Sequence, residues 1–314
     1  MLTFILGHIA DLGILIMLAL GLNLINGFTG MFSLGHHGFF AVGAYAAAAF
    51  AMFAVPDGGV IAWFGSLFVG VFAAMVSGVL LGIPCLRLKG DYLCIVTLGF
   101  AEIIRQIATN TEALGAARGL QDLPELLVMR SGDTRTDFYL LYTGIIIIAT
   151  VGTYWLCRNL IRSAHGRNLI AIREDEVAAE LIGVNLTRSK VMVFVVGAAM
   201  AGLAGALYAH LKLGVEPKEF NLDKGVYILL FVVLGGSGSL SGTVMAGVVL
   251  YILDKIILNL MPTAIQEWRQ VLFALLLIVL MIYRPGGIMG NREVTETRLW
   301  KRLFSRKREG HARV

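Results

Sequence analysis

Residues 27–45 read GFTGMFSLGHHGFFAVGAY, a glycine-rich stretch that opens a long apolar run. Residues 235–247, GGSGSLSGTVMAG, have the same character. Glycine lets helix backbones approach closely and tolerates the non-helical turns of broken membrane helices. Both stretches contain the pattern GxxSL, at residues 30–34 and 236–240. This short match is weak evidence for an internal repeat, and we interpret both stretches as places where helices pack closely or flex.

The composition of the whole chain is that of a membrane protein. Its 314 residues are 57% hydrophobic and 15% charged, with a mean hydropathy of +0.78, whereas soluble domains carry about 25% charged residues. Apolar runs of about 17 to 25 residues recur, and each is long enough to cross a hydrocarbon core of about 30 Å as a helix. We therefore predict an all-α, polytopic transmembrane helix bundle that forms one membrane domain over residues 1–290.

Hydropathy predicts about nine membrane spans. The run at residues 223–234 is shorter than the bilayer core requires, so we interpret it as a half-helix unless flanking residues extend it. The predicted spans are residues 4–25, 37–54, 60–84, 92–108, 138–157, 191–211, 223–234, 242–260 and 270–284.

Lysine and arginine counts orient these spans. One set of alternate loops, which includes residues 158–190 and the C-terminal tail, carries 17 of these basic residues, and the other set carries six. Cytoplasmic loops are enriched in lysine and arginine. The asymmetry therefore predicts an N-terminus outside the cell and a C-terminus inside it, as an odd number of spans requires.

Polar residues inside apolar runs are candidates for function. Glu102 and Arg105 lie three positions apart, so they share a helical face and can pair. A lone charge at the membrane centre costs about 2.5 to 3.5 kcal/mol on insertion scales. Two hypotheses stay open for this pair: a polar contact that lines a pathway, and a structural ion pair near the outer surface.

The adjacent His36 and His37 point in directions about 100° apart on a helix. A shared metal ion is therefore disfavoured, and no metal site is predicted; we expect a hydrogen-bonded packing role. The residues that we assign to the transport pathway or to helix packing are Gly30, Ser33, Gly35, His36, Glu102, Arg105, Gly235 and Gly236.

The longest polar segment between spans is residues 166–190, GRNLIAIREDEVAAELIGVNLTRSK. Residues 174–181 are predicted to form a short amphipathic helix, with acidic residues in its first turn and Gly183 at its end. Its apolar side suggests a docking surface, and the alternative is a helix that lies on the chain's own membrane domain. The residues that we assign to coupling are Glu174, Asp175, Glu176, Ala178, Ala179 and Gly183.

The C-terminal residues 291–314 form a basic tail. Within it, RLWKRLFSRKR (298–308) places apolar residues at helical spacing among lysines and arginines. This pattern is typical of an interfacial helix that anionic lipid holds, and nucleic-acid binding is improbable next to a membrane.

Motifs for catalysis are absent from the sequence. It contains no GxxxxGK[ST] phosphate loop, no GxGxxG after a strand and no GxSxG nucleophile motif. We therefore expect no bound cofactor, no covalent chemistry and no ATP hydrolysis by this chain alone.

Several of these segments resemble a known family. The stretch at 27–45 is similar to the signature of the permease subunits of branched-chain amino acid ABC importers, in particular the LivM type, and the resemblance runs from about residue 12 to 290. The further matching segments are LRLKGDYLCIVTLGFAEIIRQI (86–107), GRNLIAIREDEVAAELIGVNLTRSK (166–190), GAAMAGLAGALYAH (197–210), VVLGGSGSLSGTVMAG (232–247) and YRPGGIMG (283–290). Two segments depart from the family pattern, TEALGAARGL (111–120) and GVEPKEF (214–220), and both are predicted to lie outside.

The resemblance implies a multi-pass protein of the bacterial cytoplasmic (inner) membrane that transports branched-chain or related amino acids. It implies a second homologous permease subunit, two cytoplasmic ATPase subunits that use ATP, and an external solute-binding protein. It also implies that the segment from Glu174 to Gly183 is the coupling helix. The alternatives are a permease for urea, short amides or another small solute, an ion-coupled secondary transporter that uses Glu102, Arg105 or Asp254, and a membrane scaffold without a pore.

Overall fold

The computed structural model describes residues 1–55, 59–85, 88, 90–125, 134–257, 268–283 and 286–287. These residues form an all-α bundle. Its helices are α1 (Leu2–Asn23), α2 (His36–Ala49), α3 (Gly59–Cys85), α4 (Asp91–Asn110), α5 (Thr134–Arg162), α6 (Ala164–Glu174), α7 (Glu176–Leu181), α8 (Leu186–Lys212), α9 (Leu222–Gly235), α10 (Leu240–Ile252) and α11 (Arg269–Tyr283). Short π-helical segments continue three of them, Leu24–Phe28 after α1, Phe50–Ala54 after α2 and Leu253–Ile257 after α10.

Six helices of the described chain are long and apolar enough to cross a membrane. They are Leu2–Phe28, His36–Ala54, Gly59–Pro84, Asp91–Asn110, Thr136–Arg162 and Leu186–Lys212. The remaining predicted spans correspond to α9, α10 and α11, which have 14, 13 and 15 residues. At 1.5 Å per residue, these helices as described are shorter than the hydrocarbon core of about 30 Å, although the π-helical segment Leu253–Ile257 lengthens α10. The count of nine spans is therefore not confirmed, although a helix covers part of every predicted run.

Helix α8 lies at the centre of the bundle and packs closely on α2 and α3. The contact is a seam of small residues: a Cβ atom added at Gly43 of α2 would overlap the backbone of Gly202 of α8, and one added at Gly202 would lie 2.9 Å from the carbonyl oxygen of Gly70 of α3. Close backbone approach of this kind stabilises helix pairs in lipid, where the hydrophobic effect does not drive association. The large apolar side chains that remain exposed on α3 include Phe64, Phe68 and Phe72.

Two turns and the loop helices gather at one end of the bundle, which we call the turn end. The first turn comprises residues 24–35, the second turn comprises residues 236–239, and α6 and α7 lie beside them. Arg173 of α6 contacts Gly27, and Gly238 contacts Asn23.

The opposite end, which we call the strand end, carries a two-stranded antiparallel sheet. Strand β1 (Leu120–Gln121) pairs with β2 (Gly214–Val215), with Leu120 opposite Val215. Gly119, at φ +72°, lies so close to β2 that an added Cβ would overlap the Val215 carbonyl oxygen. The two segments that depart from the family pattern therefore pack against each other.

Candidate functional site

The loop between α5 and α8 folds into two consecutive helices at the turn end. Helix α6 ends at Glu174, and Asp175 is extended, with φ −159° and ψ 114°. The Asp175 carboxylate accepts hydrogen bonds from the backbone N–H groups of Val177 (2.8 Å) and Ala178 (3.1 Å), so it caps α7. The predicted helix start at Glu174 is wrong by two residues, because the capping carboxylate offers the chain a partner outside the helix.

Gly183 ends this segment, as the sequence predicts. It has φ +89°, a conformation that favours glycine, and its backbone N–H donates to the Glu180 carbonyl oxygen at 2.9 Å. Glu174 does not belong to α7, and its carboxylate pairs instead with the neighbouring Arg173 at 3.0 Å.

Helix α7 has an inner face that packs on the bundle. Ala179 is 2% exposed. The Glu176 carboxylate accepts a hydrogen bond from the buried Lys190 ammonium of α8 at 2.5 Å. Ala179 and Glu176 were both assigned to coupling, and their positions show that they hold α7 against α8.

The outer face of α7 is apolar and open. Val177, Leu181 and Ile182 are 64%, 83% and 76% exposed, and Ala178 is exposed beside them. Apolar side chains clustered on a polar loop favour a docking surface, because single exposed residues are ordinary but a contiguous patch is not.

Helix α6 connects this loop to the first turn through Arg173. Its guanidinium Nη1 donates a hydrogen bond to the Gly27 carbonyl oxygen at 2.9 Å. Gly30 has φ +69°, and a Cβ atom added there would lie 2.9 Å from Cγ of Arg173. The predicted site residue Gly30 is therefore a contact between the loop and the first turn. Sequence reasoning missed Arg173, since a cation on a polar loop gives no sign of its partner.

Within the first turn, Asn26 and Ser33 exchange two hydrogen bonds. The Asn26 side-chain amide donates to the Ser33 carbonyl oxygen at 3.0 Å, and the Ser33 backbone N–H donates back to Oδ1 of Asn26 at 3.0 Å. The turn ends against α4, where the Leu34 N–H donates to the Thr97 hydroxyl at 3.1 Å and a Cβ on Gly35 would overlap the Thr97 carbonyl. The Ser33 hydroxyl has no hydrogen-bond partner among the described residues.

The second turn contains its own helix cap. Ser239 caps α10, with its hydroxyl accepting from the Gly242 backbone N–H at 3.1 Å. Gly236 has φ +106°. A Cβ atom added at Gly235 would lie 2.5 Å from the Gly242 carbonyl carbon, so α9 and α10 cross at the predicted glycine pair.

Asn23 joins the two turns. It is completely buried, and its amide donates to the Ser239 carbonyl oxygen at 3.0 Å and to the Thr243 hydroxyl at 2.8 Å. Its Oδ1 accepts from the Gly238 backbone N–H at 3.0 Å. Sequence reasoning missed this residue as well, although a lone amide in an apolar run is a signal that could have indicated it.

The adjacent histidines at the start of α2 are both buried. A Cβ on Gly21 would lie 2.8 Å from Nε2 of His36, and one on Gly225 would lie 2.5 Å from Nδ1 of His37. Both rings therefore pack against other helices, and their role stays a prediction. The ring nitrogens of His36 have no hydrogen-bond partner among the described residues, whereas the His37 ring lies beside the Leu34 backbone.

Glu102 and Arg105 form the predicted pair on α4. Nε of Arg105 donates to Oε2 of Glu102 at 2.8 Å, with side-chain exposures of 32% for Arg105 and 38% for Glu102. Neither residue contacts the first turn through an observed hydrogen bond, so the choice between a pathway contact and a structural pair stays open.

The sequence of this chain is similar to those of known transport proteins. A family described as a branched-chain amino acid transport system permease component matches residues 4–281. The high-affinity branched-chain amino acid transport system permease protein LivM of Salmonella typhimurium is 34% identical over 298 residues, covering 88% of this chain and 68% of the relative. LivM of Escherichia coli gives the same values, and LivH of Escherichia coli is 26% identical over 292 residues, covering 88% and 92%. No solved structure matches.

Proposed function

The chain belongs to the family of branched-chain amino acid transport permeases, and on that premise we propose that it is a permease subunit of an ABC importer. It forms part of the translocation pathway for branched-chain or related amino acids, and partner ATPases drive it. The observation that carries this proposal is helix α7. One face of α7 is tied to the bundle through Ala179 and Glu176, and its other face is apolar and open for a partner.

The partners follow from the two ends of the molecule. Relatives of both the LivM and the LivH kind support a second homologous permease subunit. Two ATPase subunits, which use the ATP, dock at the turn end of the complex, and one of them binds α7 of this chain. An external solute-binding protein docks at the strand end. The basic tail at 291–314, outside the described residues, binds anionic lipid.

The proposed orientation has the turn end in the cytoplasm of a bacterium, beneath its inner membrane, with the N-terminus outside and the C-terminus inside. Two observations support it. The loops with the larger share of lysine and arginine include the one that forms α6 and α7. The turns at 24–35 and 236–239 lie beside that loop, as alternate loops on one side of a membrane must.

In the proposed mechanism, ATP binding closes the ATPase pair and moves α7. Because Asp175 joins α7 directly to α6, Arg173 moves with them and carries the displacement to Gly27 and Gly30. Asn23 passes it to the second turn and α10. The glycine contacts let helices tilt between inward-open and outward-open arrangements without opening voids.

Uptake by the reconstituted complex measures this function directly. We expect proteoliposomes that contain both permeases, with ATPases inside and binding protein outside, to accumulate leucine, isoleucine or valine only when ATP is supplied. Uptake of urea or acetamide with no uptake of these amino acids would favour the small-solute alternative. Gradient-driven uptake by this chain alone, without ATPases, would show a secondary transporter. A deletion strain with normal transport would favour a scaffold.

The docking role of α7 has its own experiment. Leu181→Asp places a charge on the exposed apolar face, so we expect the ATPase subunits to dissociate and uptake to fall by about tenfold or more. Thr187→Asp is the matched control: it adds the same charge to an exposed position in the first turn of α8, where a carboxylate suits the helix dipole. Equal uptake and equal ATPase recovery in both variants would remove α7 as the docking helix.

A further inference from the structure

The strand end contains a cavity of about 640 Å³. It lies between the middle of α1, the end of α8, the start of α9, the end of α10 and α11, and Phe40 of α2 contributes to its wall. Volumes of about 300 to 1,000 Å³ are usual for small-molecule sites. None of the residues that line it belongs to the coupling loop or to the two turns.

Charged groups of both signs line this cavity. Lys212 and Asp11 pair at 2.8 Å, and Lys224 and Glu219 pair at 3.0 Å. Burial alone would raise the pKa of the Glu219 carboxyl, but the Lys224 charge, hydrogen bonds from Lys224 and Tyr208, and the Lys212 charge together hold the pKa below its ordinary value. The Glu219 carboxyl is therefore ionised at neutral pH.

Aromatic rings flank one of these cations. The Lys224 ammonium lies 5.2 Å from the ring centroid of Tyr208 and 5.8 Å from that of Phe40, and both rings line the cavity. An ammonium group at this distance from an aromatic face is attracted to it. The same wall therefore suits a ligand ammonium as well as the lysine.

The rest of the wall is apolar. Ile14, Leu15 and Leu230 are 2%, 7% and 1% exposed, and Val226 lies beside them on α9. The cavity thus combines ion pairs and aromatic rings with an aliphatic surface, so a ligand held there would carry both charges and a branched hydrocarbon group.

We propose that this cavity is a binding site, within this single chain, for a free aliphatic amino acid in its zwitterionic form. The inference rests on the proposed function and names the place where the substrate contacts this subunit. The ligand carboxylate forms an ion pair with the ammonium of Lys224 or Lys212. The ligand ammonium forms an ion pair with the carboxylate of Glu219 or Asp11. The ligand side chain lies on Ile14, Leu15 and Leu230. The lining also contains Asp223, Asp254 and Lys255, so the cavity carries four acidic and three basic side chains. A zwitterion leaves that balance unchanged, because it adds one charge of each sign.

Protection from thiol labelling tests the site without a need for transport. Val226→Cys is introduced into the full permease pair, in a chain whose native cysteines are replaced, and labelled with a water-soluble methanethiosulfonate reagent. We expect L-leucine at about ten times its dissociation constant to slow labelling about tenfold, because only the empty site reacts. Gln121→Cys, on the exposed outer strand away from the cavity, is the control and should label at the same rate with and without leucine.

Ligand and protein charges are then varied. The uncharged 4-methylpentanamide has the same branched chain, and we expect it to protect poorly because it has no charged group that can pair with the lysines and carboxylates of the cavity. Lys224→Met should weaken leucine protection, whereas Lys224→Arg, which keeps the cation, should restore most of it. Equal protection by the amide, or full protection in Lys224→Met, would overturn the proposal.

The two proposals fail in different ways. Leucine uptake by the complete complex with no leucine protection at Val226→Cys removes this site and leaves the permease function standing. Protection without any leucine uptake by the complete complex supports the site and contradicts the import function.

Discussion

The two glycine-rich turns share the letters GxxSL, but they are held in different ways. In both, the first glycine has a positive φ, +69° at Gly30 and +106° at Gly236. In the second turn, Ser239 caps the helix that follows. In the first turn, the Ser33 hydroxyl has no partner among the described residues, and Gly35 precedes α2 with no side-chain cap. The first turn is instead hydrogen-bonded to Arg173 of α6 and to Thr97 of α4.

This difference shows that the same motif can serve two purposes. The second turn is stabilised by its own helix cap and by the three hydrogen bonds of Asn23. The first turn has no such cap: the Asn26–Ser33 pair holds it locally, and Arg173 and Thr97 contact it from distant parts of the sequence. Because Arg173 belongs to α6, we expect a displacement of α6 to reach this turn directly. Asn23 then couples the two, since its three hydrogen bonds reach from α1 to Gly238, Ser239 and Thr243.

The largest expected effect comes from filling the space between the turns. A Cβ atom at Gly27 would overlap Oδ1 of Asn23 and the backbone nitrogen of Gly238. We expect Gly27→Ala to destabilise the protein by about 1 to 3 kcal/mol and to abolish uptake, because neither the buried amide nor the backbone can shift cheaply. Thermal unfolding of the purified complex and leucine uptake measure this.

The control for that substitution is Gly144→Ala on α5. An added Cβ there meets nothing within 4 Å, so alanine should be neutral or stabilise the helix by up to about 1 kcal/mol. If Gly27→Ala behaves like Gly144→Ala, the two turns do not pack as described.

An intermediate effect is expected from Asn23→Ala. This change removes three hydrogen bonds and leaves the buried Gly238 N–H without its acceptor, at a cost of about 1 to 3 kcal/mol. The comparison variant is Asn26→Ala, which removes two partly buried hydrogen bonds within the first turn. We expect a larger fall in unfolding temperature for Asn23→Ala, and an equal fall in both variants would contradict its bridging role.

The smallest effects separate the two serines of the motif. Ser239→Ala removes a helix cap and should cost about 1 kcal/mol. Ser33→Ala removes a buried hydroxyl that makes no hydrogen bond with the described residues, so its effect should stay within about 0.5 kcal/mol. Paired unfolding measurements decide this, and an equal loss in both variants would mean that the two turns are held alike.

The sequence predicted the features that depend on local pattern. Hydropathy located the helices, glycine content located both turns, and the i, i+3 spacing predicted the pair of Glu102 and Arg105. The start of α7 was missed because Glu174 and Asp175 are both acidic, and only backbone geometry shows that Asp175 is the cap.

The contacts that join the site together depend on distant residues. Arg173 meets Gly27 across 146 positions, and Asn23 meets Gly238 across 215. Neither pair has a periodic signature, and a single sequence carries no sign that they touch. The pairing of β1 with β2 was missed for the same reason, since strands of two residues are too short for a pattern.

We propose that Arg173 carries motion from the loop helices α6 and α7 to the first turn. The most direct measurement is the number of leucine molecules accumulated per ATP hydrolysed by the reconstituted complex. Arg173→Ala removes a charge-assisted hydrogen bond worth about 1.5 to 3 kcal/mol, so this ratio should fall by about tenfold or more while the complex stays assembled. Arg167→Ala, an exposed arginine on the same helix, should leave it unchanged. An unchanged ratio in an assembled Arg173→Ala complex would contradict the account.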